Sequence, residues 1–186
     1  MTMKISDKKY SIIYADPAWT YRVWNKKGAG RTAASHYNVS SLQEMKDLPV
    51  ESISEKNCAL FMWATMPNLQ EALALGAAWG FTYKTCAFTW VKRNKIADSY
   101  FVGMGYYTRA NSELCLLFTK GKPLMRKSKS VRQVCDARIM RHSEKPAEIR
   151  DRIVELFGDL PRIELFSRHK IECWDAWGNE VEALCQ

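Results

Sequence analysis

The chain has no apolar run near the ~20 residues that a membrane-spanning helix needs, and its polar start, MTMKISDKK, is not that of a secretory signal. It has no Cys-x-x-Cys pair, and its three histidines never fall beside paired cysteines, so no structural zinc or other metal site is expected. The six cysteines are scattered, and Cys58, Cys86 and Cys115 lie inside apolar, strand-like stretches. They read as small buried hydrophobes of a reducing compartment. No fixed-period repeat and no linker between folded halves is visible. What is there is 186 residues, 47% hydrophobic and 12% aromatic, which excludes disorder and suits one domain over 1–186 with a proper core. A soluble, cytoplasmic protein with no membrane partner is expected, as monomer or homodimer.

The charge is unevenly placed. The net charge is +8, and residues 92–141 hold twelve Lys/Arg against only Asp98, Glu113 and Asp136. That segment alone accounts for the whole excess, interleaved with Tyr100, Phe101, Tyr106, Tyr107 and Phe118. Lys and Arg neutralise phosphates and rings stack on bases, so a nucleic-acid partner is expected along this basic loop or hairpin. Lys92, Arg93, Lys95, Arg109, Lys127, Lys129 and Arg132 are the candidate contacts. A solvated basic loop is the plainer alternative.

Hydrophobic period and breakers divide the chain. Tyr10–Ala15 reads as a strand stopped by Asp16-Pro17, and 21–38 as a loop. Ser41-Leu-Gln-Glu44 is a capping box opening a short helix with Leu42, Met45 and Leu48 on one face. The near-continuous apolar run 58–65 marks a strand buried on both faces of a parallel sheet. Pro67 opens a helix with Leu69, Leu73 and Ala77 on one side, stopping near Gly80. Further strands are expected at 85–91, 113–119 and 162–166, with a loop at 98–110. A helix over 146–157 turns Ile149, Ile153, Leu156 and Phe157 inward and ends at Gly158. Strands alternating with helices give an α/β layered domain with a mostly parallel sheet. In such sheets ligands sit at the carboxyl ends of strands, which singles out the polar residues there.

The sharpest such signal is Asp16-Pro17-Ala18-Trp19. A carboxylate and a turn exposing the Pro17 carbonyl can both accept N–H bonds, while Trp19 offers a stacking face; together they suit a planar amine. A strand-terminating turn without chemistry is the alternative on the tetrapeptide alone. Lys145 stands at a helix start, where the dipole disfavours a cation, so an anionic ligand group nearby would explain it. Glu113 reads as heading its strand.

The chain resembles the adenine-N6 methyltransferases with the Asp-Pro-Pro-Trp signature, the family of the mRNA adenosine methyltransferase catalytic subunit and its bacterial and phage DNA-modifying relatives. The resemblance runs in order along nearly the whole chain: Asp16–Trp19, Ser35-His-Tyr37-Asn38, the helix before Pro49, Phe61-Met-Trp63, Trp90-Val-Lys92, Gly103-x-Gly105-Tyr-Tyr, His142-x-x-Lys145-Pro146, Ile163 to Arg168, and Trp177-Gly-Asn179. It implies a Rossmann-like class I methyltransferase fold in the permuted β-group motif order, a seven-stranded sheet with a late antiparallel hairpin, and S-adenosyl-L-methionine as cofactor.

Residue by residue, the resemblance implies that Asp16 and Pro17 hold the target amine and Trp19 lines the base pocket, with Ala18 completing the tetrapeptide. Tyr37 would close over the adenine, and Lys145 would reach the base or the cofactor. Asp16, Phe166, Arg168, His169, Asn179 and Glu180 would serve the cofactor, Glu180 standing where relatives often carry Gln. Two departures stand out: Ala18 replaces the second proline, and the glycines of a full F-x-G-x-G are missing. The implied activity is methyl transfer to the N6 amine of adenine in DNA. RNA methylation, or a catalytically silent nucleic-acid-binding subunit on the same fold, are the alternatives.

Overall fold

In the computed structural model the described residues are 5–19, 41–140 and 144–178. They form β1 (Tyr10–Ala15), α1 (Leu42–Lys46), α2 (Val50–Ile53), β2 (Ser54–Ala64), α3 (Leu69–Ala78) after a 3-10 turn at Met66–Asn68, β3 (Thr82–Arg93), β4 (Ser112–Lys120), β5 (Val134–Arg138), α4 (Glu148–Phe157), β6 (Arg162–Leu165) and β7 (Asp175–Trp177). The expected loop at 21–38 lies outside the described residues. Among those residues no helix is long and apolar enough to cross a membrane.

The strands make one seven-stranded sheet in the order β5-β3-β4-β2-β1-β6-β7. Only β4 is reversed: it is antiparallel to both neighbours, β2 and β3, while every other adjacent pair is parallel. This is the mostly parallel sheet with an antiparallel hairpin that the sequence led one to expect. The apolar run in β2 is buried on both faces because the pleat sends Leu60, Met62 and Ala64 to one side and Ala59, Phe61 and Trp63 to the other. The first side packs on α1, α2 and α3, and the second on α4. The result is three layers.

Local signals explain several ends. Ser41 caps α1, its hydroxyl accepting from the Glu44 N–H at 3.1 Å while the Glu44 carboxylate accepts from the Ser41 N–H at 2.6 Å. Gly158 ends α4 at φ +81°, a conformation that an L side chain adopts only with strain. At the opposite end Arg150 clamps α4 to β6 through Glu164, with bonds of 2.7 and 3.0 Å.

Three expectations need correction. The run 58–65 pairs in parallel with β1 but antiparallel with β4, so it is not inside a purely parallel set. Helix α3 buries Ala72, Leu75 and Gly76 fully, with Leu69 and Leu73 only partly buried against the same core and Ala77 exposed. Its sequence, LQEALALGAA, is apolar nearly all round, so the period could not choose the buried side. The edge strands β5 and β7 were not foreseen; they are short, mostly uncovered, and carry charge among their apolar residues.

Topology also divides the basic segment. Strand β4 starts at Ser112, level with Val91 and the carboxyl ends of the parallel strands, and ends at Lys120, level with Cys58. Residues 94–111 therefore leave the sheet at the end where Asp16 follows β1. Residues 121–133 leave from the opposite end, where the Lys127 N–H donates to the Leu156 carbonyl at the close of α4, and climb back until β5 starts level with Thr89 and Leu114. The segment is not one face.

Gly76 sets how closely α3 approaches the sheet: a Cβ there would lie 2.4 Å from the Phe118 ring. Gly76→Ala should destabilise the fold by about 1–3 kcal/mol of overpacking, less about 1 kcal/mol of helix propensity gained. Urea denaturation should show that loss, and Phe118→Leu in the same chain should recover part of it.

Candidate active site

Asp16 follows β1 and Lys145 stands two residues before the N-cap of α4, where Pro146 begins the turn into the helix. Their side chains meet: Lys145 Nζ lies 2.8 Å from Asp16 Oδ2 and 3.4 Å from Glu113 Oε2. Glu113 in turn forms an ion pair with Lys92 at the end of β3. The four groups form an alternating row, and only the reversal of β4 brings the start of that strand to this end of the sheet. Exposure rises outward from the centre of the row, with side-chain values of 6% for Lys145, 13% for Glu113 and 24% for Asp16. Beneath the cations lies an aromatic floor. Lys145 Nζ is 5.6 Å from the Trp63 ring centroid, Lys92 Nζ is 5.0 Å from that of Trp90, and the two indoles meet edge to face.

The row has a definite charge order. Burial raises the Asp16 carboxyl above its ordinary range; the Lys145 ammonium pulls the other way without cancelling it, and Glu113 and Glu164 add to the rise. Burial also pushes Glu113 upward, but Lys145 and Lys92 outweigh it and hold that carboxyl low. For Lys145, burial opposes the charge and is outweighed by Asp16 and Glu113, so the ammonium is kept. Asp16 is thus the more basic carboxylate, and the more exposed. It is the one able to accept from an incoming donor.

The turn after β1 is fixed from beneath. Pro17 is buried, and Trp19 is buried with its indole N–H donating to the Trp63 carbonyl at 3.0 Å. The expectation that Trp19 offers an open stacking face is therefore corrected: its ring packs into the core on the α3 side and pins the Asp16 turn. Ala18 is partly exposed between them. The anion expected beside Lys145 turns out to be internal, the carboxylates of Asp16 and Glu113.

At the neighbouring end of β6, Phe166 takes φ +62°, a left-handed backbone that is uncommon for a bulky side chain. Its ring is stacked with Trp79 at 6.4 Å and meets Trp177 edge to face at 5.8 Å. A Cβ on Gly178 would stand 2.2 Å from the Ser167 carbonyl oxygen, so the ends of β6 and β7 close against one another. Arg168 is partly exposed and His169 exposed, with the His169 carbonyl accepting from the Ser167 hydroxyl at 2.8 Å. Tyr37, Asn179 and Glu180 lie outside the described residues.

The candidate nucleic-acid contacts are scattered. Lys92 belongs to the charge row. Arg93 is engaged by Asp98 and Asp136 at 2.6 and 2.8 Å. Lys95 and Arg109 are exposed on the loop at the Asp16 end, whereas Lys127 and Lys129 lie by the close of α4 at the other end and Arg132 stands just before β5, on the α4 flank of the sheet. The expectation of one shared face fails because β4 carries the chain across the sheet between the two groups. Sequence reasoning gave Glu113 no part in this cluster and read Lys92 as a phosphate contact. The one signal in the sequence was an acid opening an otherwise apolar strand.

The sequence pattern of the MT-A70 family matches residues 10–180. The chain is 38% identical to the type II methyltransferase M.MunI of Mycoplasma sp over 190 residues, which covers 94% of this chain and 78% of that protein. It is 26% identical to the Drosophila melanogaster N(6)-adenosine-methyltransferase MT-A70-like protein, over 95% of this chain and 28% of that one. Against the human N(6)-adenosine-methyltransferase catalytic subunit METTL3 the identity is 25%, over 95% of this chain and 29% of the relative. The chain thus spans little more than a quarter of the length of these animal proteins.

The charge row can be checked directly by following the Asp16 carboxyl carbon through a pH titration by NMR. Its midpoint should lie above the ordinary aspartate range. Lys145→Met removes the cation that lowers it and should move the midpoint further up; Glu113→Gln removes a repelling carboxylate and should move it down. Shifts of the same sign in both variants would mean that the row is not coupled as described.

Proposed function

The chain belongs to the MT-A70 family and is a methyltransferase, and we propose that it transfers a methyl group from S-adenosyl-L-methionine to the N6 amine of adenine in DNA, in the cytoplasm of a bacterial or phage-infected cell. The observation that carries the reading is the Asp16 carboxylate at the end of β1, raised by burial, with one oxygen held by Lys145 at 2.8 Å. The likeness to a type II methyltransferase over most of both chains supports DNA over RNA.

The residues present fit the cofactor. Phe166 between Trp79 and Trp177 is an apolar aromatic wall suited to an adenosine group, and Arg168 beside it offers donors to ribose hydroxyls. Asp16 is an anion suited to a sulfonium. His169 stands next to Arg168, and Asn179 and Glu180 follow Gly178 in the chain, so we assign them to the same binding site. When bound, the cofactor supplies an electrophilic methyl group.

The protein's own contribution is positioning and electrostatics. The exocyclic amine of adenine is a poor nucleophile because its lone pair is delocalised into the ring. Lys145 occupies Asp16 Oδ2, so Oδ1 accepts one amine hydrogen and the Pro17 carbonyl accepts the other. Both pull nitrogen towards a tetrahedral form and free the lone pair. Methyl transfer from the bound cofactor would leave the nitrogen cationic, and the charged Asp16 acceptor is placed to stabilise that charge. The surplus proton then leaves the product amine, and the raised Asp16 carboxylate is the base within reach. Glu113 keeps Lys145 charged and in place. Tyr37 we assign to the adenine, together with Lys145, and Lys95 and Arg109 to phosphates flanking it.

A radiolabelled methyl-transfer assay on duplex DNA, single-stranded DNA and RNA tests the reading. Asp16→Asn should cost at least about 10²-fold in rate with the fold retained by circular dichroism, since one preorganised charged acceptor is worth about that much. Ala18→Pro should change turnover by less than tenfold, because fixing φ there is worth roughly 0.4–1 kcal/mol. An inert wild type made fully active by Ala18→Pro would identify the chain as a silent subunit.

Salt dependence separates the two basic groups. Lys95→Ala with Arg109→Ala should reduce the slope of log K against log salt by about 2, at ~0.9 for each phosphate no longer neutralised. Lys127→Ala and Lys129→Ala together should leave it nearly unchanged, because those cations lie beside the close of α4, at the far end of the sheet.

A further inference from the structure

Residues 94–111 join β3 to β4 at the Asp16 end of the sheet, and the loop is held by its own bonds. The Asn94 N–H donates to the Ser99 carbonyl at 2.9 Å, the Phe101 N–H to the Lys92 carbonyl at 2.8 Å, and the Gly103 N–H to the Ala110 carbonyl at 2.9 Å. The Arg138 guanidinium donates to the Lys95 and Ile96 carbonyls at 3.2 and 2.7 Å. A Cβ on Gly103 would lie 2.5 Å from the Ala110 carbonyl oxygen, and one on Gly105 1.9 Å from that of Thr108. The two legs of the loop approach as only glycine permits.

This ordered loop nevertheless turns apolar side chains outward. Val102 and Met104 are exposed, Tyr106 is 77% and Tyr107 92% exposed, and the two tyrosine rings meet edge to face with centroids 4.7 Å apart. Backbone bonds that fix a tip while leaving its rings in water are a preorganised contact surface. The base of that tip is Lys92 and Glu113, with Glu113 one ion pair and Lys92 two ion pairs away from Lys145.

We propose that the Tyr106–Tyr107 tip is an aromatic wedge that enters a DNA duplex beside the target adenine and stacks in the place the extruded base leaves. The inference rests on the reading of DNA adenine as the substrate. Asp16 sits at the mouth of a packed sheet, so a paired adenine reaches it only by leaving its stack, and something must hold the gap. Among the described residues, the loop joined to Asp16 through the charge row exposes Tyr100, Tyr106 and Tyr107. Its charge suits the same partner: the one acid, Asp98, is taken by Arg93 at 2.6 Å, while Lys95 and Arg109 are exposed on the same loop.

The test uses a duplex oligonucleotide carrying an adenine that the full-length protein methylates, with 2-aminopurine replacing that adenine as a fluorescent probe of unstacking. Wild type should raise the fluorescence. The double variant Tyr106→Ala/Tyr107→Ala should lose that rise and lose about tenfold or more in methylation of the paired adenine, the range that stacking one base on one ring carries. Placing an abasic site opposite the adenine, which leaves it unpaired, should restore the variant towards the wild-type rate, and Tyr106→Phe/Tyr107→Phe should behave as wild type. A double alanine variant that keeps the fluorescence rise overturns the proposal. So does one that sediments as a monomer where wild type is a dimer, since the tip would then join two copies of the chain. A wild type that methylates RNA and no DNA overturns the substrate reading itself, and the wedge with it.

Discussion

Everything at the carboxyl end of this sheet turns on one buried ammonium. Lys145 lies between Asp16 and Glu113 and offsets the repulsion of each carboxylate for the other. Removing one partner of such a buried set typically costs about 3–5 kcal/mol, because the remaining charges are left uncompensated. The group therefore acts as a brace between β1, β4 and the approach to α4, three parts of the chain that are distant in sequence. It also makes the two carboxylates unequal. Glu113, held low by two cations, behaves as fixed charge, and Asp16, raised by burial, keeps accepting power for a donor that comes and goes.

The brace depends on the direction of a single strand. Were β4 parallel to its neighbours, Ser112 and Glu113 would open at the opposite end, beside Cys58, and Lys145 would face Asp16 alone. The reversed strand also fixes where the loops emerge, with the glycine-bearing loop 94–111 at the site and the start of 121–133 away from it. Rigid packing beneath keeps the geometry: Trp63 donates to the Tyr14 hydroxyl at 2.6 Å, Trp19 donates to the Trp63 carbonyl, and Phe61 stacks with Phe88. Catalysis by positioning needs such support, because groups that drift by an ångström lose most of their effect.

The charge distribution carries a related lesson. A net charge of +8 concentrated in 92–141 looks like one nucleic-acid face when laid out as a string. Folded, one cation is built into the acid–base row, another is neutralised by Asp98 and Asp136, and Lys95 and Arg109 are parted from Lys120, Lys122, Lys127 and Lys129 by a sheet about nine residues long, the length of β4. With a Debye length of about 8 Å at physiological salt, cations at the far end are largely screened from a ligand at the near one.

The sequence by itself determined what is written in short-range pattern. The continuous apolar runs of β1 and β2, the Ser41 capping box, the glycine stop of α4 and the Asp16-Pro17 break at a strand end all follow from neighbouring residues, and so does membership of the family, which rests on ordered local motifs. Edge strands β5 and β7, the buried face of α3, the burial of Trp19 and the charge row were decided by tertiary structure alone. In each case the deciding interaction lies outside the local window: Gly76 against Phe118, the Trp19 indole on the Trp63 carbonyl, Glu113 against Lys145. Propensity and period are sums over a few adjacent residues, whereas the ionisation and role of Asp16, Glu113 and Lys145 are set by distances that exist only after β4 has turned back through the sheet.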